Sequence, residues 1–388
     1  MQQKNTISLT NTRIAVLGIF LINGAIFANW VTRIPHVRQA LSLSEGQLGL
    51  ALLGTSCGVI LGLLMTGGFI ARFGSRSATI AGSVLFSLCL PLISLAGNFW
   101  TLFAALFIAG YVAAIMDMAM NVQAAEVERR MGKSIMSSFH AAFSVGGVLG
   151  ALMGAAAVKL VLSVSLHFSL TAILFILLTF LLVKPLLTIA GETDAQNSSV
   201  VSFPPRALWA LGAVGFSATV GEGSMADWSA LYLSDTIRTS DTVAAFGFAA
   251  FATMMTVGRI AGDWLTIHYS AEALVRGGGL IAALGLSLAM AIPQTIPVLI
   301  GFALVGAGLS VVVPLTFSAA GNIPGIPAGT GIAGVATIGY AGFLAGPPVI
   351  GLLAEATSLR IAMGFVLVLV ATLLLSGRSI RQAALPGG

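Results

Sequence analysis

Charged residues are scarce in this sequence. Asp, Glu, Lys and Arg make up 8% of its 388 residues, whereas 57% are hydrophobic. A soluble globular protein carries about 25% charged residues, so a chain this poor in charge cannot cover a surface that faces water. The composition therefore excludes a soluble domain and indicates that most of the surface faces lipid.

Cysteines are few, and the common cofactor motifs are missing. Cys57 and Cys89 both lie within apolar runs, where a small packed side chain is expected in preference to a disulfide or a metal ligand. The sequence contains no GxxxxGK(S/T), HExxH or CxxC motif, so nothing points to a bound nucleotide or metal. We therefore expect no cofactor. If the chain drives transport, we expect the energy to come from an ion or solute gradient.

Twelve apolar segments are long enough to cross a bilayer, which takes roughly 20 residues. We expect an all-α membrane protein with an N-terminal six-helix bundle (1–186), a cytoplasmic central loop (187–205) and a C-terminal six-helix bundle (206–388). The segments lie near residues 13–34, 46–70, 77–96, 99–123, 135–158, 164–184, 207–233, 242–266, 273–292, 297–320, 330–354 and 359–377.

The basic residues are distributed unevenly over the two sides of this topology. With the N-terminus in the cytoplasm, twelve Lys and Arg residues fall on the inner side, five on the outer side, and Arg259 within a helix. Cytoplasmic loops carry the excess of positive charge, so the sequence predicts that both termini and the central loop are cytoplasmic. Because the basic residues are scattered over helix ends, we expect no nucleic-acid binding.

The two halves of the chain repeat one another. The Ala-Asp-Trp sequence at 226–228 echoes Ala-Asn-Trp at 28–30, and a shift of 196 residues brings Gly146 onto Gly342. Parallel repeats that start on the same side of the membrane are typical of transporters whose site lies between the halves. The repeat therefore predicts a central cavity lined by both halves.

The connection after the second segment reads GGFIARFGSR from Gly67. This stretch resembles the signature of the major facilitator superfamily at Gly67, Arg72, Gly74 and Arg76, and the resemblance implies a role for these residues in an inner gate. Ala71 stands where the family has an aspartate, so the gate built around that acid is modified here. The resemblance covers essentially the whole chain and implies two pseudo-symmetric bundles that work by alternating access.

Five further stretches are similar to a little-characterised group of bacterial inner-membrane members of that superfamily: NWVTRIP, EVERRMGKS, EGSMADW, VGRIAGDW and GFLAGPPVIG. Through Asp117, the acid in the fourth segment, the chain also resembles, more weakly, the proton-coupled sugar importers related to fucose permease. The resemblance implies a multi-pass protein of the bacterial inner membrane. We expect a monomer whose partners are the lipid bilayer, a small-molecule solute and protons.

Two residues of the first half are candidates for proton coupling. Asp117 lies about 13 Å inward from Glu126 at the cytoplasmic end, and Asn121 shares its helix face. Charged groups at this depth are rare and usually functional, although a neutral, hydrogen-bonded acid would also serve packing. His140, near the start of the fifth segment, either titrates near physiological pH or is simply packed among its neighbours.

The seventh segment carries two acids. Glu222 and Asp227 are five positions apart, about 140° around a helix, so they are expected to point in different directions. Glu222 is the deeper of the two, and we assign it to binding the proton or the solute. Asp227 lies nearer the outer end, where it either contacts the solute or forms a hydrogen bond of the outer gate.

Arg259 and Asp263 are four residues apart in the eighth segment and are interpreted as a structural ion pair near the inner gate. The repeat also places several polar and aromatic side chains around the predicted cavity, although aromatic residues near membrane ends also serve as interface anchors. The expected solute contacts are Asn23, Asn29, Trp30, Asn121, Glu222, Asp227, Trp228 and Tyr340.

Together these features predict a secondary active transporter that imports a small organic solute by proton symport. Proton-driven efflux of a metabolite or drug is the alternative, and import is favoured because the fifth segment lacks the proline motif of drug antiporters. A membrane-embedded enzyme would need a nucleophile–base or metal constellation beside its acids, and none accompanies them. A passive channel or a sensor without turnover is a further alternative. The acidity of the predicted site favours a neutral or cationic solute.

Overall fold

The computed structural model describes residues 8–132, 135–189, 206–323, 326 and 328–384, and these residues form helices and turns but no strand. A 3-10 turn (Arg206–Leu208) precedes the seventh helix and a π-helical turn (Tyr232–Thr236) follows it. The helices are α1 (Leu9–Val31), α2 (Ile34–Ala40), α3 (Glu45–Ser94), α4 (Phe99–Met131), α5 (Met136–Lys159), α6 (Val164–Leu182), α7 (Trp209–Leu231), α8 (Asp241–Ala244), α9 (Phe246–His268), α10 (Ala271–Ala291), α11 (Thr295–Leu309), α12 (Val312–Gly321), α13 (Ala328–Ala356) and α14 (Leu359–Ala384).

Eleven segments of the described chain are long and apolar enough to cross a membrane. The helix α3 supplies two of them, and α11 with α12 supplies one, Thr295–Ala320. The helix α7 matches α1 in length at 23 residues but lies outside this set. Its glycines, hydroxyl residues and two acids make it less apolar than the others. With α7 included, the fold has the twelve membrane helices that the sequence predicts.

The signature glycine Gly74 separates the two spans of α3. Its backbone has φ 78° and ψ 153°, which is not helical. A residue with a Cβ rarely adopts this conformation, whereas glycine adopts it without strain. The two spans, Glu45–Ile70 and Arg72–Ser94, are therefore joined by a kink at the position where the sequence predicts a connection.

The packing partners repeat between the two halves. In the first half α1 packs on α5, and α3 packs on α4 and α6; in the second half α7 packs on α13, α9 on α11, and α10 on α14. Gly146 of α5 lies against the backbone of Leu21 in α1, and Gly342 of α13 lies against the backbone of Phe216 in α7. Both glycines allow a close helix approach that a Cβ would block. Since residues 190–205 lie outside the described residues, the predicted domain boundaries stay a prediction.

The halves meet closely at one end of the bundle, which we call the gate face and which is formed by residues 32–45 and 232–241. Here Arg38 forms an ion pair with Asp235 across the two halves. The start of α3 also packs against the end of α13, where Gly49 approaches the backbone of Gly351. This end of the bundle is therefore closed.

The opposite end, which we call the terminal face, holds both ends of the described chain. Gly67 and Gly68 near this face have open space where a Cβ would lie. Midway along their helices, the side chains of Asp117 and Tyr340 are exposed. Because the gate face is closed, these side chains are reached from the terminal face.

Candidate functional site

Six polar side chains from five helices lie together near the middle of the bundle. Hydrogen bonds and electrostatic interactions connect them across both halves of the chain. We call this group the central polar cluster: Asp117 of α4, His140 and Ser144 of α5, Glu222 of α7, Arg259 of α9 and Tyr340 of α13.

Arg259 is at the centre of this cluster. Its Nη2 atom is 3.5 Å from Oε2 of Glu222, and its Nη1 atom donates to the Ser144 hydroxyl over 3.3 Å. The other carboxyl oxygen of Glu222, Oε1, is buried and has no hydrogen-bond partner among the described residues. The guanidinium therefore holds the two halves together at mid-depth, and Glu222 keeps one oxygen free for a proton or a solute.

Tyr340 connects the acids of the two halves. The carboxyl groups of Asp117 and Glu222 both act electrostatically on its phenol, which places the three side chains near one another. Asn121 is on the same helix face as Asp117, but its amide donates to the Asp117 backbone carbonyl over 2.8 Å and not to the carboxyl group. The carboxyl group of Asp117 is thus left open to the cavity.

His140 belongs to the same cluster. Its ring is within electrostatic reach of Arg259, and its edge packs against the ring of Phe20 with centroids 5.5 Å apart. The imidazole is exposed and not enclosed by neighbours. The ring thus faces the central cavity while its edge packs against Phe20, and a role in proton coupling stays a prediction.

Several expected solute contacts are in the helix packing instead. Trp228 has no exposed surface, Asn29 is equally buried, and Trp30 is also buried. Asn23 is buried too, and its amide contacts the Met120 sulfur at 3.5 Å. The prediction that these four side chains line an accessible cavity is wrong for this conformation, because all four are buried.

Asp227 lies on the gate-face side of Glu222 and is half-buried. It follows Glu222 by one and a half helical turns, so it does not reach the central polar cluster. The structure leaves both predicted roles open: a solute contact closer to the gate face, or a hydrogen bond of the outer gate.

The signature residues of the terminal face contact their own half. The Arg72 guanidinium lies 5.2 Å from the centre of the Phe73 ring, and Arg76 donates to the Val183 carbonyl over 3.2 Å. Their role in an inner gate stays a prediction. The side chain of Asp263 lies outside the described residues, so its pairing with Arg259 stays a prediction too. The described partner of Arg259 is Glu222, which the sequence did not indicate.

The sequence analysis also missed a buried polar chain near the gate face. Arg33 donates from Nε to Nδ1 of His167 over 3.1 Å, and Nε2 of His167 donates to the Asn29 amide oxygen over 2.8 Å. The sequence carried a signal only for the contact of Arg38 with Asp235: Arg33 and Arg38 follow the repeated tryptophan in one half, and Asp235 and Asp241 follow it in the other. Opposite charges at matching places in two repeats indicate a contact between the halves.

No group of three or more His, Cys, Asp or Glu side chains among the described residues is placed to hold a metal ion. The cluster instead combines two acids, one arginine, one imidazole and two hydroxyl groups. Such a set can exchange a proton and can form hydrogen bonds to a polar solute.

Comparison with known proteins shows the family of the chain. The family model described as "Major Facilitator Superfamily" matches residues 15–327. An uncharacterised MFS-type transporter of Yersinia pestis is 37% identical over 372 residues, covering 96% of this chain and 95% of that protein. Membrane protein MosC of Rhizobium meliloti is 33% identical over 353 residues, covering 91% of this chain and 86% of its own length. The chain belongs to the major facilitator superfamily, and it is a multi-pass membrane transporter, not an enzyme.

Solved structures of the same fold are more distant in sequence. A mutant of the nucleoside transporter NupG superposes with a TM-score of 0.76 at 10% identity, covering 95% of this chain and 99% of that one. A bacterial homologue of the human lysosomal transporter Spinster, in an inward-facing and unoccupied conformation, gives 0.75 at 15% identity, covering 98% and 99%. These similarities establish the major facilitator fold and carry no information about the solute.

Proposed function

We propose that this transporter is a secondary active importer that takes up a small organic solute together with protons by alternating access. The observation that carries the proposal is the central polar cluster. Asp117 from one half and Glu222 from the other lie within electrostatic range of Tyr340, in a cavity reached from the terminal face. Acids at membrane depth usually mark solute or proton pathways.

The pairing of Glu222 with Arg259 supports a coupling mechanism. A proton on Glu222 removes the negative charge that neutralises the guanidinium, so the 3.5 Å ion pair weakens. Because Arg259 also donates to Ser144 in the other half, the change in charge is transmitted to the contact between the bundles. Asp117 is open to the same cavity and supplies a second protonatable group.

The distribution of charge supports the proposed orientation. The terminal face corresponds to the side with the excess of Lys and Arg, so we assign it to the cytoplasm and the gate face to the periplasm. In this orientation the described conformation is inward-facing. Import is favoured over efflux because α5 runs from Met136 to Lys159 without a proline.

The cluster favours a neutral or cationic solute. Glu222 neutralises Arg259, which leaves the carboxyl group of Asp117 as an additional negative charge beside Tyr340. A purely anionic solute would find no unpaired cation among the described cluster side chains unless Glu222 were protonated. Hydroxyl or amine groups of a solute would find an acceptor at the exposed side chain of Asp117.

The test is solute uptake into proteoliposomes. A thermal-shift screen of neutral and amine-bearing metabolites first identifies a binder, and its accumulation is then measured with and without an inward proton gradient. We expect the gradient to drive accumulation in the wild type, and Asp117→Asn and Glu222→Gln to bind the solute but lose gradient-driven accumulation. Glu272→Gln is the control, since it neutralises an acid of a membrane helix at the terminal face, outside the cluster.

Two results would contradict the proposal. If both Asp117→Asn and Glu222→Gln retained accumulation driven by the gradient, neither acid would carry the proton. If the gradient drove the solute out of the vesicles in exchange for protons, the protein would be an efflux antiporter.

A further inference from the structure

The gate face brings a basic rim of one half onto an acidic rim of the other. Besides its ion pair with Asp235, Arg38 binds Glu45 of its own half at 2.8 Å. Two residues before Arg38, Nε2 of His36 lies 3.4 Å from Oδ2 of Asp241. The two pairs that join the halves, Arg38 with Asp235 and His36 with Asp241, line a cleft of about 500 Å³ between them.

His36 is the one member of these pairs that titrates in the physiological range. Its side chain is 22% exposed, and its Nδ1 atom is buried without a hydrogen-bond partner among the described residues. The charged and titratable groups around it come from both halves. They are Arg33 and Arg38 on its own segment, His167 of α6, Asp241 of α8, and Asp235, which is held by Arg38.

The two protonation states of His36 differ in how well this closed site accepts them. The neutral ring keeps Nε2 3.4 Å from the Asp241 carboxylate and leaves only an acceptor unsatisfied at Nδ1. A second proton turns Nδ1 into a buried donor with no acceptor, next to the positive charge of Arg33. A buried donor without a partner loses its hydrogen bond to water and gains none in return.

Electrostatics act in the same direction. Burial and the charge of Arg33 lower the pKa of His36 from its ordinary value of 6.5, and Asp241 offsets part of this effect. When the two rims separate, the ring regains water, which raises its pKa, and loses Asp241, which lowers it; Arg33 lies on the same segment and stays. Burial has the largest effect on the pKa of His36 and Asp241 the smallest, so the pKa rises on opening. A group with a lower pKa in the closed state binds protons better in the open state. Acid therefore favours the open state.

We propose that His36 is a proton-sensitive latch, whose protonation opens the gate face. The inference rests on the alternating access proposed above, and it adds a regulatory site that is separate from the central polar cluster. With the gate face in the periplasm, acid outside the cell would open the transporter on the side from which protons enter.

The latch can be tested by measuring the width of the gate face. Spin labels are attached at Ala40→Cys and Ser240→Cys, two exposed positions on opposite rims, in a full-length protein with Cys57→Ser and Cys89→Ala. Pulsed electron paramagnetic resonance in nanodiscs at roughly pH 5 and pH 8, on either side of the histidine range, gives the distance distribution. We expect a short distance at pH 8 and a growing long-distance population at pH 5. The open-to-closed ratio changes by about tenfold for each pKa unit that separates the two states.

The central variant is His36→Gln, which keeps a donor for Asp241 but does not titrate. It is expected to stay closed at both pH values, whereas His268→Gln at the terminal face is expected to keep the wild-type response. Asp241→Asn removes the charge that His36 contacts in the other half and that partly offsets the lowering of its pKa, so it is expected to raise the long-distance population at both pH values. Asp241→Asn also tests the latch if His36→Gln does not fold.

The outcomes separate the latch from the transport cycle. An acid response that is unchanged in His36→Gln, absent from the wild type, or opposite in sign would overturn the latch. If the gate face opened in Asp241→Asn but without any dependence on His36, the latch alone would be wrong. If no variant opened it at either pH, the proposal of alternating access would fail as well.

Discussion

The ion pair between Glu222 and Arg259 makes a quantitative prediction about stability. Its Oε2 and Nη2 atoms are 3.5 Å apart, and the side chains are 17% and 28% exposed. At this distance Coulomb's law gives about 1 kcal/mol in water and about 5 kcal/mol at the effective dielectric constant of 20 that suits partly buried pairs. Since both side chains are mostly buried, we expect a coupling energy of about 2–4 kcal/mol.

The perturbation is a double-mutant cycle of Glu222→Gln, Arg259→Gln and the double variant. Each single variant leaves one charge without its partner, and in Glu222→Gln the guanidinium keeps only the Ser144 hydroxyl at 3.3 Å. The double variant removes both charges. Its loss of stability should therefore be smaller than the sum of the two single losses by the coupling energy.

The assay is the free energy of unfolding in mixed micelles, followed by tryptophan fluorescence. The matched control is the cycle on Glu272 and Arg276, an i,i+4 pair at the terminal face with a 2.9 Å contact and a more exposed arginine. We expect about 0.3–0.5 kcal/mol for the control pair. If the losses at Glu222 and Arg259 added within about 0.5 kcal/mol, the pair would not be coupled.

Three further predictions concern packing and the buried polar chain. Gly146→Ala should destabilise the protein by about 1–3 kcal/mol, because its Cβ would meet the α1 backbone. Gly147 has open space at its Cβ position, so Gly147→Ala should be neutral or stabilising. If Gly146→Ala and Gly147→Ala lowered the Tm equally, the close approach at Gly146 would be contradicted. Asn29→Ala should cost about 1–3 kcal/mol by leaving its buried histidine partner without an acceptor, and more than Asn23→Ala, in which only a weak sulfur contact is lost. Gly74→Ala should cost about 1–3 kcal/mol because of its positive φ, and an unchanged denaturation midpoint would show that the kink relaxes.

Much of the fold could be read from composition and spacing. The low charge content and the lengths of the apolar runs determine twelve membrane helices, since lipid can cover apolar surface and helices satisfy their own backbone hydrogen bonds. The repeated tryptophan and the aligned glycines Gly146 and Gly342 indicated the pseudo-symmetry. The depth of Asp117 and Glu222 followed from counting along their helices, because the rise per residue is constant.

The direction in which each side chain points was decided only by the tertiary structure. In a membrane the lipid and the helix interfaces are both apolar, so the sequence of a spanning helix does not reveal which side faces the interior. This is why Trp228 and Asn29, expected in the cavity, are buried in helix contacts. Tyr340, expected from the same reasoning, is 48% exposed beside the two acids.

Charge pairing was also left to the tertiary structure. The spacing of Arg259 and Asp263 within one helix is visible in the sequence, whereas the contact of Arg259 with Glu222 depends on how α9 lies against α7. The same holds for the gate face, where Arg38 meets Asp235 from the other half. By itself the sequence determined which residues are present at each depth, because that follows from covalent spacing. The packing of the helices decided which of those residues meet, because it sets their rotation and the end at which the halves close.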